Sequence, residues 1–326
     1  MNAYEFFHAA FASRGTEVFL EDETGRAYTY SDLDRETARI AGFLTRLGLQ
    51  PGDRVAAQVE KSPHGLFLYL GTLRAGFCYL PLNTAYQKGE IAYFLGDAEP
   101  AVFVCDPARA GEYAEIARAA KVRNVLTLDA AGSGTLSDGR ESAPASFATR
   151  PAGPNDLAVI IYTSGTTGRS KGAMVTHGNL TSNAAVLKDS WRFSERDVLI
   201  HALPLFHVHG LFVAVHPVLL AGARILFQRK FDAKAVLAAM PRATSLMGVP
   251  TFYVRLLGEP ELTTDAVRQM RLFISGSAPL LLDTFCEWQA RTGHTILERY
   301  EIDGRRVGGD VEAVVGRVRP GKGAEA

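Results

Sequence analysis

The sequence predicts an α/β protein with mostly parallel sheets and helices on both faces. Two observations lead to this class. Short apolar runs recur along the chain, and stretches with the apolar spacing of amphipathic helices separate them. The 326 residues are 47% hydrophobic, which is enough to form the core of one large or two smaller globular units.

The first block of alternating elements precedes residue 129. The run "DRVAAQVE" indicates a strand, and "SPHGLFLYLGTLRAG" indicates a helix that Ser62 and Pro63 open. The runs "FCYLPLN", "AVFVCD" and "RNVLTLD" continue the strand pattern. From Asp129 to Asp156 the composition shifts to Gly, Ser, Ala and Pro, which predicts a surface connection to a second block.

The second block repeats the alternation up to residue 300. Its predicted strands are "LAVIIY", "VLIHALPLF", "ARILFQ", "TSLMGV", "LFISG" and "TILERY". Ligands of such folds bind outside the carboxyl ends of the strands. We therefore expect functional residues directly after these runs.

Charge and composition narrow the class of protein further. Lys plus Arg and Asp plus Glu balance at 35 each, which argues against a nucleic acid or an anionic membrane held mainly by charge. Cys78, Cys105 and Cys286 show no disulfide or metal spacing, as is typical of a cytoplasmic protein. The longest apolar stretch, "GLFVAVHPVLLAG", is too short to span a bilayer, and the N-terminal residues lack the pattern of a secretory signal.

A polar, glycine-rich loop, "TSGTTGRSKG" at 163–172, follows the apolar run "LAVIIY". Glycines let the backbone approach a ligand closely, and consecutive backbone N–H groups form a site for anions. Hydroxyl side chains and one lysine, Lys171, add further donors. The loop therefore predicts a polyphosphate site, and its candidate ATP-binding residues are Thr163, Ser164, Gly165, Thr166, Thr167, Gly168 and Lys171.

The composition of this loop allows two other interpretations. A flexible surface loop rich in small residues is one, but the loop follows a buried strand and carries a lysine within a glycine frame. A Walker P-loop is the other, and it needs Gly-Lys-Ser/Thr leading into a helix. Here Gly172 follows Lys171, so no hydroxyl residue is in the position that binds magnesium.

Four ordered motifs resemble those of the adenylate-forming superfamily, the AMP-binding enzymes that include acyl-CoA synthetases. They are "YTSGTTGRSKGAMVTHGN", "ALPLFHVHG" (202–210), "FISGSAPL" (273–280) and "ILERY" (296–300), and the resemblance covers residues 1–300. It implies the large N-terminal domain of such an enzyme, with two mostly parallel sheets flanked by helices. Within the superfamily, the segments "YTSGTTGRSKGAM", "HALPLFHVHGLF" and "LMGVPTFYVRLL" are most similar to the corresponding segments of malonyl-CoA synthetases.

The resemblance implies an acid–thiol ligase that uses ATP, Mg²⁺ and coenzyme A. Malonate attacks the α-phosphate of ATP to give malonyl-adenylate and pyrophosphate, and the CoA thiol then displaces AMP. The partners expected are therefore small molecules: malonate or a related short acid, ATP and CoA. Lys171 and His207 are the candidate catalytic residues.

The second carboxylate of malonate requires a cationic partner, because an unpaired buried charge is costly. Arg255 in "GVPTFYVRLL" is the candidate, since a guanidinium matches carboxylate geometry. A solvated helix residue is the alternative for Arg255. His207 is expected near the acyl carboxylate. His207 and His209 would share one face if "FHVHG" were a strand, but two histidines without a third ligand do not make a metal site, and none is predicted.

Adenine is expected to lie along Gly276 and Ser277 and to stack on Tyr300, as the resemblance implies. The alternatives are an ordinary strand-to-helix turn for the pair and a core aromatic for Tyr300. For His201 and His209, packing in the core is as well supported as any function.

The resemblance ends after Tyr300, where the family continues with Gly, an apolar residue, Thr and a magnesium-binding Glu. Here "EIDGRRVGGDVEAVVGRVRPGKGAEA" follows, and this 301–326 tail predicts a short hairpin around "GRRVGGD" or disorder. The family's later ribose-binding segment and its mobile C-terminal domain with a catalytic lysine are expected to be absent. The activity of the malonyl-CoA synthetase type is therefore expected to be impaired. The alternatives are a non-catalytic nucleotide-binding role and a ligase for another short or fatty acid.

Overall fold

The computed structural model describes residues 1–163 and 170–299. These residues form two compact units, each assembled from separate stretches of chain. The first unit comprises Met1–Thr16, Thr29–Ser182 and Leu205–Val208, and the second comprises Glu17–Tyr28, Asn183–Pro204 and the described residues from His209 onward.

Helices and strands alternate along most of the chain. The strands are β1 Val18–Asp22, β2 Ala27–Thr29, β3 Arg54–Gln58, β4 Cys78–Pro81, β5 Val102–Cys105, β6 Asn124–Thr127, β7 Leu157–Thr163, β8 Lys171–Thr176, β9 Val198–His201, β10 Arg224–Phe227, β11 Ser245–Gly248, β12 Leu272–Gly276 and β13 Ile296–Arg299. The helices are α1 Ala3–Phe11, α2 Tyr30–Arg46, α3 Pro63–Arg74, α4 Lys88–Ala98, α5 Ala110–Ala119, α6 Thr135–Glu141, α7 His177–Ser190, α8 Val215–Ala221, α9 Ala233–Ala239, α10 Pro250–Leu257 and α11 Leu282–Thr292.

A six-stranded sheet forms the centre of the first unit within the described residues, in the order β6-β5-β3-β4-β7-β8. Neighbouring strands are parallel from β6 to β7, and β8 returns antiparallel to β7. β3 is entirely apolar at its centre, as expected of a strand covered on both faces.

Local sequence signals define the helices that cover this sheet. Thr29 and Asp32 form a capping box at the start of α2, in which each residue bonds the backbone N–H of the other. Ser62 caps α3, and every residue of α3 is buried. Gly71 lets α3 approach α2 closely, because a Cβ there would be 2.8 Å from the side chain of Ile40.

A seven-stranded sheet forms the centre of the second unit within the described residues, in the order β13-β12-β11-β9-β10-β1-β2. The pairs from β13 to β1 are parallel. Trp288 of α11 is fully buried against this sheet and makes edge contacts with Tyr253 at 5.1 Å and with Phe273 at 4.9 Å. These rings anchor α10 and α11 on one face of the sheet.

A buried carboxylate holds the start of β9 to its neighbours. Burial disfavours the charge of Asp197, but donors from Arg271 at 2.7 Å, Thr244 at 2.7 Å and the Ser194 backbone at 2.8 Å outweigh it and lower the pKa of Asp197. The carboxylate therefore stays ionised and joins three segments of the second unit.

The predicted α/β class and the two mostly parallel sheets flanked by helices are confirmed. β9 ends at His201, so the predicted strand "VLIHALPLF" is too long, because the chain bends at Leu203 and turns at Leu205–Phe206. The connection predicted over 129–156 contains the short helix α6. The tail predicted over 301–326 lies outside the described residues.

Candidate nucleotide and acid site

The two ends of the glycine-rich loop meet across an antiparallel strand pair. β7 ends at Thr163 and β8 begins at Lys171, and these two residues are register partners. The side chain of Lys171 is exposed, so its ammonium group is accessible to an anion. Ser164, Gly165, Thr166, Thr167 and Gly168, predicted to bind ATP, lie outside the described residues.

Helix α4 bonds to β7 and to the residue that precedes β8. The Tyr93 hydroxyl donates to the carbonyl oxygen of Ser170 at 2.8 Å, and the Tyr162 hydroxyl donates to Asp97 Oδ2 at 2.5 Å. Burial and the Asp97 carboxylate both raise the pKa of Tyr162, so its hydroxyl remains a donor. Sequence analysis missed Tyr93 and Asp97 because they lie some 70 residues away from the loop and belong to no motif. Their i, i+4 spacing on one predicted helix was the available signal.

Gly276 and Ser277, predicted to lie along adenine, form the turn at the carboxyl end of β12. Ser277 has φ of +68°, the left-handed conformation that non-glycine residues seldom adopt. Three residues after Ser277, the Leu280 backbone N–H donates to Glu298 Oε1 of β13 at 2.8 Å. Tyr300, predicted to stack on adenine, lies outside the described residues.

The segment "FHVHG" is not a strand, so the condition under which His207 and His209 would share one strand face is not met. His209 begins a π-helical turn, His209–Val213, in the second unit, while Leu205–Val208 belongs to the first. His207 is exposed, its ring lies 4.6 Å from that of Phe206, and partial desolvation lowers its pKa, which favours the neutral imidazole. His209 is 1% exposed.

Arg255 lies on the outer side of α10. It is exposed, and its guanidinium carbon lies 4.9 Å from the centre of the Phe231 ring, which in turn stacks on Phe252 at 3.8 Å. In the described parts of the chain, no carboxylate forms an ion pair with Arg255. The side chain is therefore held by an aromatic face, and its donors remain available to an acid.

Two groups of predicted residues are thus brought together by the fold. Thr163 and Lys171 meet at the hairpin of the first unit, and Gly276 and Ser277 form one turn of the second unit against His209. Arg255 is on the helix that follows β11 in the same unit as Gly276 and Ser277.

Residues 1–163 and 170–299 contain no group of three or more His, Cys, Asp or Glu side chains that could hold a metal ion. Proteins usually hold the Mg²⁺ of a nucleotide through one or two carboxylates together with the phosphates, and no described residue is assigned to that ion. None of the helices in these ranges combines the length and apolar character needed to cross a bilayer.

The family model and the most similar known proteins point to the same enzyme family. The family model described as AMP-binding enzyme matches residues 6–300. A feruloyl-CoA synthase from an Amycolatopsis species is 36% identical over 262 residues, which are 79% of this chain and 51% of that protein. A malonate–CoA ligase from Arabidopsis thaliana is 28% identical over 316 residues, covering 89% of this chain and 49% of that protein.

Solved structures give a close match in fold. MatB from Rhodopseudomonas palustris, in its apo form and with ATP bound, is 50% identical to this chain with a TM-score of 0.90. The match covers 98% of this chain and 65% of MatB. The chain spans about half the length of the curated relatives it matches, 51% and 49% for the two named.

Proposed function

Because the chain belongs to the AMP-binding enzyme family, we propose that it is the ATP- and acid-binding part of an AMP-forming acid–CoA ligase of the malonyl-CoA synthetase type. The reaction would join malonate to the α-phosphate of ATP with release of pyrophosphate. The thiol of CoA would then displace AMP to give malonyl-CoA. Free thiols at Cys78, Cys105 and Cys286 support a cytoplasmic setting.

The hairpin of the first unit supports the phosphate part of this proposal. Lys171 lies opposite Thr163 with its side chain exposed, and α4 bonds the backbone at Ser170 next to it. Lys171 would bind the β- and γ-phosphates, with the loop residues Ser164–Gly168 contributing further donors. In a phosphoryl-type transfer, positioning and charge neutralisation provide most of the acceleration.

The β12 turn supports the nucleoside part. Gly276 and Ser277 would lie along the adenine, and Tyr300 would stack on it. The similarity to MatB of Rhodopseudomonas palustris, whose structure has been solved with ATP bound, supports ATP as the nucleotide.

The choice of malonate as the acid rests on the environment of Arg255. Its guanidinium is exposed beside Phe231 and forms no ion pair with a described carboxylate, so it is suited to pair with the distal carboxylate of malonate. His207, neutral and exposed, would lie near the carboxylate that reacts. The malonate–CoA ligases among the relatives support this assignment.

An aromatic acid is the second candidate substrate, because the feruloyl-CoA synthase is 36% identical to this chain. Ferulate has no second carboxylate, so the guanidinium of Arg255 would have no partner on that substrate. Measuring whether malonate or ferulate binds more tightly therefore distinguishes the two candidate substrates.

The test is a set of equilibrium titrations of the 326-residue chain. ATP binding is measured by calorimetry, followed by malonate, propionate and ferulate with a non-hydrolysable ATP analogue present. Pyrophosphate release is then assayed with ATP and the same acids. We expect ATP to bind and malonate to bind more tightly than the two monocarboxylates. Tighter binding of ferulate would contradict the choice of acid, and no binding of ATP would contradict the function itself.

A further inference from the structure

His209 lies directly against the backbone of the β12 turn. A Cβ placed on Gly276 would be 3.1 Å from His209 Cε1 and 3.3 Å from His209 Nδ1. Ser277 Oγ lies 3.4 Å from the same Nδ1. The ring therefore contacts both residues that the proposed function assigns to the adenine.

The backbone that carries His209 is itself held from the opposite side. The His201 Nε2–H donates to the carbonyl oxygen of Gly210 at 2.7 Å, and the His201 ring stacks on Phe227. A Cβ at Gly210 would be 2.0 Å from the carbonyl oxygen of Pro204, so only glycine fits there. These contacts determine where the first residue of the π-helical turn can place its ring.

The conformation of Ser277 shows why such a support is needed. A serine with φ of +68° is strained, and such a backbone persists only where its surroundings hold it in place. The Ser277 side chain is exposed, so most of its surface contacts no protein atoms. The contact with His209 and the bond from Leu280 to Glu298 hold the two sides of this turn.

We propose that His209 is a positioning residue for nucleotide recognition, which holds the Gly276–Ser277 backbone in the conformation that distinguishes adenine from other purines. The inference rests on the proposed function, because that function assigns the turn to adenine. His209 acts through the turn and does not itself touch the reacting atoms. Its loss should therefore affect recognition of the base and leave binding of the phosphates unchanged.

The test compares three ligands on the 326-residue chain by calorimetry: ATP, inosine triphosphate, and tripolyphosphate. Inosine triphosphate carries an oxo group where ATP has the amino group, and tripolyphosphate lacks the base. The variants are His209→Ala, His209→Asn, whose amide approximates the position of Nδ1, and Ser277→Ala. His216→Ala is the matched control, since His216 is another buried histidine of the second unit.

We expect His209→Ala to weaken ATP binding about three- to tenfold, the effect of losing one hydrogen bond and its packing. Its preference for ATP over inosine triphosphate should fall by a similar factor, while tripolyphosphate binding is unchanged. His209→Asn should restore part of the preference. The effects of His209→Ala and Ser277→Ala should be less than additive, because both act on the same turn. His216→Ala should lower the melting temperature and leave the preference intact.

The outcomes separate the inference from the function on which it rests. An unchanged preference in His209→Ala, or in Ser277→Ala if the His209→Ala variant does not fold, would overturn the positioning role. Equal weakening of all three ligands would also overturn it, because that is the result of general destabilisation. Failure of the parent chain to bind ATP would remove the proposed function and this inference with it.

Discussion

The hydroxyl of Tyr253 donates a 2.6 Å hydrogen bond to the carbonyl oxygen of Ile274. Tyr253 is fully buried on α10, and Ile274 is in the middle of β12. The bond therefore ties the helix that carries Arg255 to the strand that ends at Gly276. Burial raises the pKa of Tyr253, so the hydroxyl is protonated and remains a donor.

Tyr253→Phe should lower the free energy of unfolding by about 1 kcal/mol, the net contribution of a typical buried hydrogen bond. Urea unfolding of the variant and the parent measures the difference. Tyr79→Phe is the control, because Tyr79 is also buried and its hydroxyl makes no hydrogen bond to any residue of 1–163 or 170–299. An equal loss in both variants would show that the bond to Ile274 adds nothing.

Lys171→Ala should weaken binding of both ATP and tripolyphosphate. Loss of a hydrogen bond to a charged group costs about 1.5–3 kcal/mol, which is at least tenfold in the dissociation constant. Lys171→Arg keeps the charge and should retain part of the affinity. Lys234→Ala, which removes an exposed lysine of α9, should bind both ligands like the parent. Tripolyphosphate binding that is unaffected by Lys171→Ala would exclude Lys171 from the phosphate site.

Arg255→Leu should discriminate between acids. Malonate should bind about ten- to a hundredfold more weakly, because its distal carboxylate loses a charged partner. Propionate has no distal carboxylate and should bind as before or more tightly. Titration of the two acids with a non-hydrolysable ATP analogue present measures both effects.

The control for this variant is Arg268→Leu, which removes another exposed arginine of the second unit. It should leave both acids unaffected. If Arg255→Leu weakens malonate and propionate by the same factor, Arg255 has a structural role and does not select a dicarboxylate.

The stability of the chain should fall as the pH is lowered from about 6.5 to 4. His177 is buried, and the Ala3 backbone N–H donates to its Nδ1 at 3.0 Å, so the ring is neutral in the folded state. Burial lowers the pKa of His177 to about 4, whereas an unfolded histidine has a pKa of about 6.5. Between pH 6.5 and pH 4, the His177 imidazole therefore binds a proton in the unfolded state but not in the folded state.

The part of this loss that comes from His177 should approach about 3 kcal/mol near pH 4, since one pKa unit corresponds to about 1.4 kcal/mol. The free energy of unfolding, measured by urea titration at several pH values, gives the slope. His177→Gln cannot titrate in this range and should show a shallower slope, with a remainder from His216, whose pKa burial lowers to about 3. Parallel slopes for the variant and the parent would contradict the assignment to His177.

Local signals in the sequence determined the elements of this protein and part of its candidate site. The spacing of apolar residues predicted the strands and helices, and Ser62 with Pro63 predicted the start of α3. The glycine-rich loop after β7 predicted the place of Lys171, because a buried strand, a polar turn and a lysine are all encoded within a few neighbouring residues.

Only the tertiary structure decided which distant residues meet. Tyr93 with Ser170, His209 with Gly276, and Arg255 with Phe231 are far apart in sequence, and no short-range pattern links them. The same limit applies to "FHVHG", where alternating histidines are compatible with a strand but the chain begins a π-helical turn at His209. Propensity and spacing act over a few residues, whereas these contacts arise when separate stretches of chain bury their apolar faces in one core. Each unit contains stretches that are far apart in sequence, because burial of apolar faces joins such stretches in one core.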